Sequence, residues 1–435
     1  MNRDIKKMKI KMCIVKVVSV SLCILLFAII GLLIPLRPSY SESEKRKLAE
    51  FPEFTIKSFF SGKYLSDIGT WYSDTYPGRE SLISLNTKIK EFYGFSSDLE
   101  IHGEVVQGDE IPEEFSETET QNSVPEETTR ESFVIENLDT QSLGAVFVAG
   151  NVGYEYYNFS QNLANDYISV MNSFADKITT NAKIYNMIVP TSIGITLPDN
   201  YIETINSSNQ EKSINYMISG FDSNVNAVPV FDALMSHRKE YIYFNTDHHW
   251  TALGAYYAYE EFCVKSGKTP YPLTQFTQVE YDGFLGSFYN DTGKISSLKN
   301  NPDTVIAYVP NKNAKMVYTD KKGNLINWPI IGNVSSYNET LKYSTFIGGD
   351  NPFTEIVNPD ITDNSSIVVV KESFGNAFVP FLVENYSKIY VIDYRYYNDS
   401  ISKFVNENEV QDVLYLNNIS ATRNKWLISK LKETV

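Results

Sequence analysis

The chain has 435 residues, of which 43% are hydrophobic and 14% aromatic, a composition that can fill a sizeable core. Its formal net charge of −15 offers no broad basic surface to phosphates, so we expect no nucleic-acid partner. The length exceeds that of one ordinary domain and predicts a large domain with additional segments.

The amino terminus combines a basic head, residues 1–16, with an uncharged apolar run over 17–34 that is just long enough to cross a bilayer. Because basic residues favour the cytoplasmic side, the pattern predicts a cytoplasmic head and one transmembrane helix over 17–36. Everything after Arg37 is then extracytoplasmic, and the protein is a single-pass protein of the cell membrane. A cleaved signal peptide is the alternative, although no small-residue cleavage site follows the run.

Two segments separate the apolar run from the main domain. Residues 37–103 form a membrane-proximal segment, in which apolar residues at helical spacing between Arg79 and Phe92 predict an amphipathic helix. Residues 104–132 are rich in Glu, Thr, Ser and Pro. Such a composition cannot bury a core, so it predicts an acidic disordered loop.

From residue 143 to residue 435, short apolar runs alternate with helical patterns. The runs that predict strands are 144–149, 183–190, 228–232, 365–372, 388–393 and 412–417. The helical patterns are 161–178, 208–219, 251–266, 376–386 and 423–434. This rhythm predicts an α/β domain whose parallel sheet carries helices on both faces. The Asn- and Tyr-rich region 270–345 interrupts the rhythm and predicts a β-rich insertion.

Two loops at predicted strand ends carry the candidate chemistry, because functional groups gather at the carboxyl ends of strands in open α/β sheets. One loop contains the motif Asn-Thr-Asp-His-His-Trp-Thr, residues 245–251. In extended backbone, Asp247 and His249 point the same way and His248 points to the opposite side. In the other loop, Ser373 follows a buried strand and precedes a helix, as nucleophiles often do.

These residues predict a site in which Ser373 is the nucleophile, His249 is its base and Asp247 orients the imidazole. Backbone N–H groups at the start of the following helix are candidate oxyanion donors. Each feature also has a structural alternative, since a serine after a strand is commonly a helix cap and an Asp-x-His pair is often only a hydrogen bond.

A metal site is the chemical alternative for the histidine motif. Adjacent Asp247, His248 and His249 occur together in some metal phosphoesterases, but those sites take further ligands from other strands. The chain has four histidines and no second histidine cluster. We therefore predict no metal and no other cofactor.

The sequence "TDHHWT" resembles the signature of the bacterial DHHW family and is similar to the D-x-H-W signature of the alginate O-acetyltransferase proteins of the SGNH-hydrolase-like superfamily. Other stretches fit as well: "YSESEKRKLAEFP", "WYSDTYPGRESLISLNTKIKEFYG", "KESFGNAF" and "IDYRYY". The resemblance runs from about residue 37 to the carboxyl terminus. It implies an SGNH-hydrolase-like α/β fold with a permuted triad order, in which Asp247 and His249 precede Ser373.

The resemblance also implies an activity. The expected protein is a membrane-anchored, extracytoplasmic O-acetyltransferase that acetylates a hydroxyl of a cell-surface polysaccharide through an acyl-enzyme. A membrane-bound O-acyltransferase partner would supply the acetyl group. Two alternatives remain open: an acetyl esterase with the same triad, in which water replaces the sugar hydroxyl, and a non-catalytic carbohydrate-binding component of a polysaccharide export complex.

Four further residues are candidates for substrate contact: His248, Trp250, Asn376 and Arg395. Trp250 either walls the pocket or packs in the core beside the dyad. Arg395 either contacts substrate or forms a salt bridge at a strand end. The serine lies in "KESF" instead of the Gly-Asp-Ser of typical superfamily members, so the resemblance does not identify the oxyanion hole.

Overall fold

The computed structural model describes residues 144–310 and 313–435 continuously. Upstream it describes residues 22, 37, 39–41, 46–60, 63–79, 81–82, 85, 99–103 and 105–115. The transmembrane helix predicted over 17–36 lies outside the described residues apart from Leu22, as does most of the helix predicted between Arg79 and Phe92. Among the helices described, none has the length and apolar character required to cross a membrane.

The chain divides into two compact units. The first comprises Met1–Phe95 and Thr129–Ser142, and the second comprises Ser96–Thr128 and Leu143–Val435. The described elements of the first unit are β1 (Tyr40–Ser41), β2 (Arg46–Lys47), α1 (Ile56–Phe60) and α2 (Lys63–Asp74). β1 and β2 pair antiparallel, and the carboxylate of Asp74 at the end of α2 accepts a hydrogen bond from Ala49 N–H at 2.8 Å.

The second unit begins at Ser96, within the segment 37–103, whereas the main domain was expected from residue 143. β3 (Leu99–His102), β4 (Val146–Ala149) and β5 (Val152–Glu155) form a three-stranded antiparallel sheet. The run predicted at 144–149 is therefore a strand, but it lies outside the main sheet. Within the loop expected to be disordered, residues 105–115 are bonded to the rest of the second unit: Asp109 N–H donates to Phe159 O at 2.8 Å, and Phe115 N–H donates to Ser219 Oγ at 2.9 Å. Ile111 and Phe115 also pack against one of its hydrophobic cores.

Ten further strands follow along the chain. They are β6 (Lys183–Val189), β7 (Val225–Ala227), β8 (Thr277–Phe284), β9 (Asp303–Val309), β10 (Lys315–Thr319), β11 (Leu325–Trp328), β12 (Phe353–Val357), β13 (Ser366–Lys371), β14 (Lys388–Asp393) and β15 (Asp412–Asn418). The main sheet has the order β11-β10-β12-β14-β13-β15-β6-β7, and β8 pairs with β9 in a separate antiparallel sheet.

The main sheet is mixed. Its strands from β14 to β7 run parallel, whereas β12, β10 and β11 are antiparallel additions at one edge. The prediction of a parallel sheet is correct for these five strands, of which β13 leads to Ser373, and wrong for this edge. β10 and β11 come from the region 270–345 that was expected to be an insertion. The strand predicted at 228–232 is also wrong, because Pro229 has no N–H to donate and a helix begins at Phe231.

Helices cover both faces of the main sheet, as predicted. In chain order, the described helices of the second unit are α3 (Gln161–Asp176), α4 (Ser192–Ile195), α5 (Asp199–Ile205), α6 (Gln210–Ser219), α7 (Phe231–Ser236), α8 (Ala252–Ser266), α9 (Ser287–Asp291), α10 (Ser296–Lys299), α11 (Gly375–Leu382), α12 (Ile401–Glu407) and α13 (Lys425–Thr434). Of these, α9 and α10 pack against β4 of the three-stranded sheet. Within the described residues, 3-10 helices lie at Leu273–Gln275, Glu339–Thr345 and Ile419–Arg423. Along β13, Ile367 and Val369 pack in one core with α8 and α11, while Val368 and Val370 pack in the other with α3 and α13. This alternation leaves the carboxyl end of β13 between the two layers.

Candidate active site

The loop that carries the two adjacent histidines is held by a buried carboxylate at the start of β9. Asp303 accepts hydrogen bonds from Asn245 N–H at 2.9 Å and from Thr246 N–H at 2.7 Å. The Thr246 hydroxyl donates to the same carboxylate at 2.6 Å. After the loop, Thr251 Oγ1 accepts from Gly254 N–H at 3.4 Å and caps α8. These contacts hold both ends of the loop without the participation of the proposed catalytic residues.

Ser373 lies in the tight turn between β13 and α11. Glu372 crosses this turn: its carboxylate accepts from Phe374 N–H at 2.9 Å and from Asn418 N–H, at the end of β15, at 2.8 Å. A side chain at Gly375 would place its Cβ 2.6 Å from Lys371 Cβ, closer than packed atoms tolerate. The glycine and the glutamate together allow the chain to turn sharply and leave Ser373 at the carboxyl end of the sheet.

The structure brings Asp247, His249 and Ser373 together. His249 Nε2 lies 2.7 Å from Ser373 Oγ, and His249 Nδ1 lies 2.5 Å from Asp247 Oδ1. The backbone N–H of His249 donates to the same Oδ1 atom at 3.0 Å, and Ser287 N–H donates to Asp247 Oδ2 at 2.8 Å. All three side chains are buried. This is the hydrogen-bonded order expected of a serine nucleophile, its base and the group that orients the base.

The electrostatics keep the carboxylate charged. Burial alone would raise the pKa of Asp247, but the neighbouring imidazoles of His249 and His248 and the N–H of Ser287 outweigh it, and the net pKa lies below the usual value. A charged Asp247 accepts a hydrogen bond from Nδ1–H, which leaves Nε2 as the acceptor toward the Ser373 hydroxyl. A Cβ at Gly286 would fall 2.1 Å from Asp247 Oδ2, so only glycine permits this approach.

His248 does not point away from His249. The two imidazole rings lie 3.8 Å apart between centroids, and His248 Nδ1 lies 2.7 Å from Ser287 Oγ. The prediction of opposite orientations was wrong because the segment bends: the Asp247 carboxylate bonds the backbone of His249, which extended backbone would not allow. His249 is still the histidine that contacts Ser373.

The other candidate substrate contacts are engaged with protein groups. Trp250 is 0% exposed and donates from Nε1 to Phe374 O at 2.9 Å, so it packs in the core. Asn376 Nδ2 donates to Asp350 Oδ1 at 2.9 Å. Arg395 binds Asp393 through two nitrogens, at 2.9 and 2.7 Å, and pairs with Asp350 at 2.9 Å. Of the two roles predicted for Arg395, substrate contact or a salt bridge, these contacts match the salt bridge.

Asp247, His248 and His249 also satisfy the distance requirement for a metal site, because each offers a ligand atom within 4.8 Å of the others. Their hydrogen bonds do not favour that use. Both ring nitrogens of His249 face protein partners, Asp247 and Ser373, and His248 Nδ1 faces Ser287. A metal bound by all three residues would have to displace at least one of these contacts. The donor set therefore fits serine chemistry better than metal hydrolysis.

Several residues around the site were not predicted. Ser287, Asp303 and Tyr343 lie in the region 270–345, where neither spacing nor motif marked them. The Tyr343 ring stacks on His249 and its hydroxyl donates to Ser373 O at 3.1 Å. Glu372 and Asp350 were not predicted as residues of the site. They bind their neighbours through tertiary contacts, which the sequence pattern does not show.

Comparisons with known proteins concern the family and the fold. The family described as "DHHW protein" matches residues 44–132 and 118–392. A crystal structure of a DHHW family protein from Eubacterium siraeum is 29% identical, covers 68% of this chain and 98% of that chain, and superposes with a TM-score of 0.61. No curated protein sequence matches.

Bacillus cereus PatB1 shares the fold at lower identity. It is 20% identical, covers 65% of this chain and 98% of that chain, and has a TM-score of 0.56. A structure of PatB1 with a sulfonyl adduct gives 19% identity, 65% and 97% coverage, and a TM-score of 0.55.

Proposed function

Since this chain belongs to the DHHW family, we propose that it is an O-acetyltransferase that forms an acetyl-enzyme on Ser373. The observation that carries the proposal is the buried series of contacts from Asp247 through His249 to Ser373, at 2.5 and 2.7 Å. The similarity of the "TDHHWT" motif to the D-x-H-W signature of the alginate O-acetyltransferase proteins supplies the reaction class.

The first half-reaction transfers the acetyl group to the enzyme. Ser373 Oγ attacks the carbonyl carbon of an acetyl donor while its proton passes to His249 Nε2. The carbonyl oxygen becomes an oxyanion, and Asp247 stabilises the imidazolium. Collapse of the tetrahedral intermediate breaks the bond to the donor. The leaving group takes the proton from His249, and Ser373 remains as an acetyl ester.

The second half-reaction transfers the acetyl group to a hydroxyl of a cell-surface polysaccharide. Neutral His249 removes the proton of that hydroxyl, whose oxygen attacks the acetyl carbonyl. The intermediate then expels Ser373 Oγ, which recovers its proton from His249. Water in place of the sugar hydroxyl would give an acetyl esterase, so the acceptor decides between the two activities.

The proposed location follows from the amino terminus. Residues 17–36 would anchor the protein in the cell membrane, residues 1–16 would remain in the cytoplasm, and the site would face outward, where the polysaccharide is found. Acetyl groups are made in the cytoplasm, so a membrane-bound O-acyltransferase partner would bring them across. The basic residues before the apolar run support this orientation.

Trapping of the intermediate tests the proposal. Purified full-length protein is incubated with 4-nitrophenyl acetate and analysed by intact mass and peptide mapping. We expect one acetyl group on Ser373, none in Ser373→Ala, and faster release of 4-nitrophenol when an acceptor polysaccharide is added, with acetyl recovered on the sugar. Turnover that survives Ser373→Ala would refute the acetyl-enzyme. Acetate as the sole product with every acceptor tried would assign the protein as an esterase.

A further inference from the structure

Three backbone N–H groups that follow Ser373 already donate hydrogen bonds to acceptors in the same turn. Phe374 N–H donates to Glu372 Oε2 at 2.9 Å, Gly375 N–H donates to Glu372 O at 3.0 Å, and Asn376 N–H donates to Ser373 O at 3.1 Å. These are the donors at the start of α11 that the sequence suggested for an oxyanion. Because these three amides already have partners, the charge that develops on an acyl oxygen needs a further donor beside the amide of Ser373 itself.

The hydrogen bonds of His248 are compatible with a ring proton on Nε2. Ser287 Oγ accepts from the backbone N–H of His248 at 3.2 Å and lies 2.7 Å from the same residue's Nδ1. The Ser287 hydroxyl, which accepts from the amide, can donate its single proton to Nδ1, and in that arrangement Nδ1 is the acceptor. Burial and the adjacent His249 lower the pKa of His248 to about 3, so the ring is neutral. A neutral ring that accepts at Nδ1 carries its proton on Nε2.

His248 Nε2 is buried without a hydrogen-bond partner in the described part of the chain. His248 as a whole is only 9% exposed, and its ring lies 3.8 Å from the ring of His249. Buried donors without partners are rare in native proteins and require an explanation. Here the unused donor lies beside the imidazole that contacts the nucleophile.

We propose that His248 Nε2–H donates a hydrogen bond to the carbonyl oxygen of the acyl group and holds the oxyanion of each tetrahedral intermediate. The inference rests on the proposed acetyl-enzyme mechanism and adds a catalytic residue to it. When Ser373 Oγ forms its bond to the acyl carbon, the carbonyl π electrons move to oxygen and the Nε2–H hydrogen bond strengthens. No proton leaves His248, and its ring remains neutral throughout both half-reactions. The ligand class is an acyl ester or thioester, which presents an acceptor oxygen.

Paired substitutions separate the hydrogen bond from the shape of the side chain. His248→Met removes the donor, and His248→Gln keeps a side-chain N–H at similar length. With full-length protein and 4-nitrophenyl acetate, we expect Met to lower kcat about 100- to 1,000-fold and Gln about 10-fold, both with KM within about threefold of wild type. His237→Met is the matched control, because His237 pairs with Glu240 at the surface, and it should leave kcat unchanged. Equal losses for Met and Gln, or a Met variant within threefold of wild type, would overturn the role.

A second measurement needs no substitution. The chain has four histidines, so selective 15N labelling gives a simple spectrum of imidazole nitrogens. His248 should appear as the neutral Nε2–H tautomer. On addition of trifluoroacetone, which forms a hemiketal with an activated serine, its Nε2 proton should shift downfield and become protected from exchange. An Nδ1–H tautomer, or an unchanged signal while 19F spectra show the adduct, would overturn the inference.

The two proposals fail in different ways. Wild-type protein whose turnover does not depend on Ser373 would refute the acetyl-enzyme, and the role of His248 with it. Turnover that depends on Ser373 and His249 but survives His248→Met would refute only the oxyanion donor.

Discussion

Tyr343 stacks on the imidazole of His249, with ring centroids 4.1 Å apart and planes 12° from parallel. Its hydroxyl also donates to the backbone carbonyl of Ser373 at 3.1 Å. One side chain from the 3-10 helix Glu339–Thr345 therefore contacts both the proposed base and the backbone of the proposed nucleophile. Rotation of the imidazole away from Ser373 would require Tyr343 to move.

Removal of the Tyr343 hydroxyl tests this positioning role. Tyr343→Phe keeps the stacked ring and loses one buried hydrogen bond, so we expect the free energy of unfolding to fall by about 1 kcal/mol and kcat to fall less than about 10-fold. Tyr343→Ala should reduce kcat considerably more than Tyr343→Phe, because the imidazole loses its neighbour. Chemical denaturation and ester turnover measure the two effects, with Tyr337→Phe as the exposed control. Equal turnover in Tyr343→Ala and Tyr343→Phe would contradict the role of the ring.

The triad should behave as a unit. His249→Ala and Ser373→Ala should each lower kcat by about 1,000-fold or more, and the double variant should lose no more than the worse single variant. The physical reason is that Ser373 without its base is not deprotonated for attack, and His249 without Ser373 has no nucleophile to activate. Steady-state turnover of 4-nitrophenyl acetate measures all three. Additive losses in the double variant would show that the two side chains act independently.

His248 should make the stability depend on pH. Its pKa is 6.5 in a model peptide and about 3 in the folded protein, so the unfolded chain binds more protons between these values. The free energy of unfolding should therefore decrease as the pH falls from about 6.5 toward 3, by up to about 1.4 kcal/mol per pH unit from this residue. Denaturation of the full-length protein in detergent at pH 7, 6, 5 and 4 should show a steeper slope for wild type than for His248→Gln. Parallel curves would contradict a buried neutral imidazole.

Activity should not require a metal ion. Serine chemistry draws on hydrogen-bond donors, whereas a metal hydrolase loses its hydroxide nucleophile when stripped. We expect protein treated with a chelator and dialysed to keep its ester turnover, and a sulfonylating reagent to abolish it with the adduct on Ser373. Activity that is lost to the chelator and restored by zinc or manganese would instead return Asp247, His248 and His249 to a metal site.

The proposed topology has its own test. An enzyme reporter that folds only outside the cytoplasm, fused after Val435, should be active in cells, and the fusion should remain with the membrane fraction. The expected reason is that the basic head stays inside while the apolar run 17–34 spans the bilayer. A soluble product that begins near residue 37 would indicate a cleaved signal peptide.

The hydrophobic pattern of the sequence predicted the position of most of the parallel strands of the main sheet and of several helices that cover it. The strands at 183–190, 365–372, 388–393 and 412–417 and the helix over 251–266 match the observed elements within one residue at each end. Their apolar residues face the two cores that define the sheet. The run at 144–149 is a strand whose partners could not be read from its sequence, because β3 pairs with it across a long connection.

The candidate site was predicted only in part, for the same reason. The motif 245–251 and the strand-end position of Ser373 are local signals, and they gave the residues that the structure brings together. The predicted orientation of His248 was wrong because the Asp247 carboxylate bonds the backbone of His249 and turns the segment, while Asp303, distant in the chain, holds the residues before it. Arg395 pairs with Asp350 and Asp393, and neither ion pair leaves a periodic trace in the sequence.

The hairpin of β8 and β9 limits how much of the chain can be removed without loss of the site. The segment 277–309 lies outside the main sheet and within the region 270–345 that was predicted to be an insertion. Yet it supplies Asp303, which fixes the histidine loop, together with Gly286 and Ser287, which receive the carboxylate of Asp247. A shortened protein without the segment would retain the whole sheet and every proposed triad residue but not the scaffold that aligns them. In the engineering of a shorter version of this protein, the segment 277–309 must be kept, because its contacts hold the proposed catalytic residues in place.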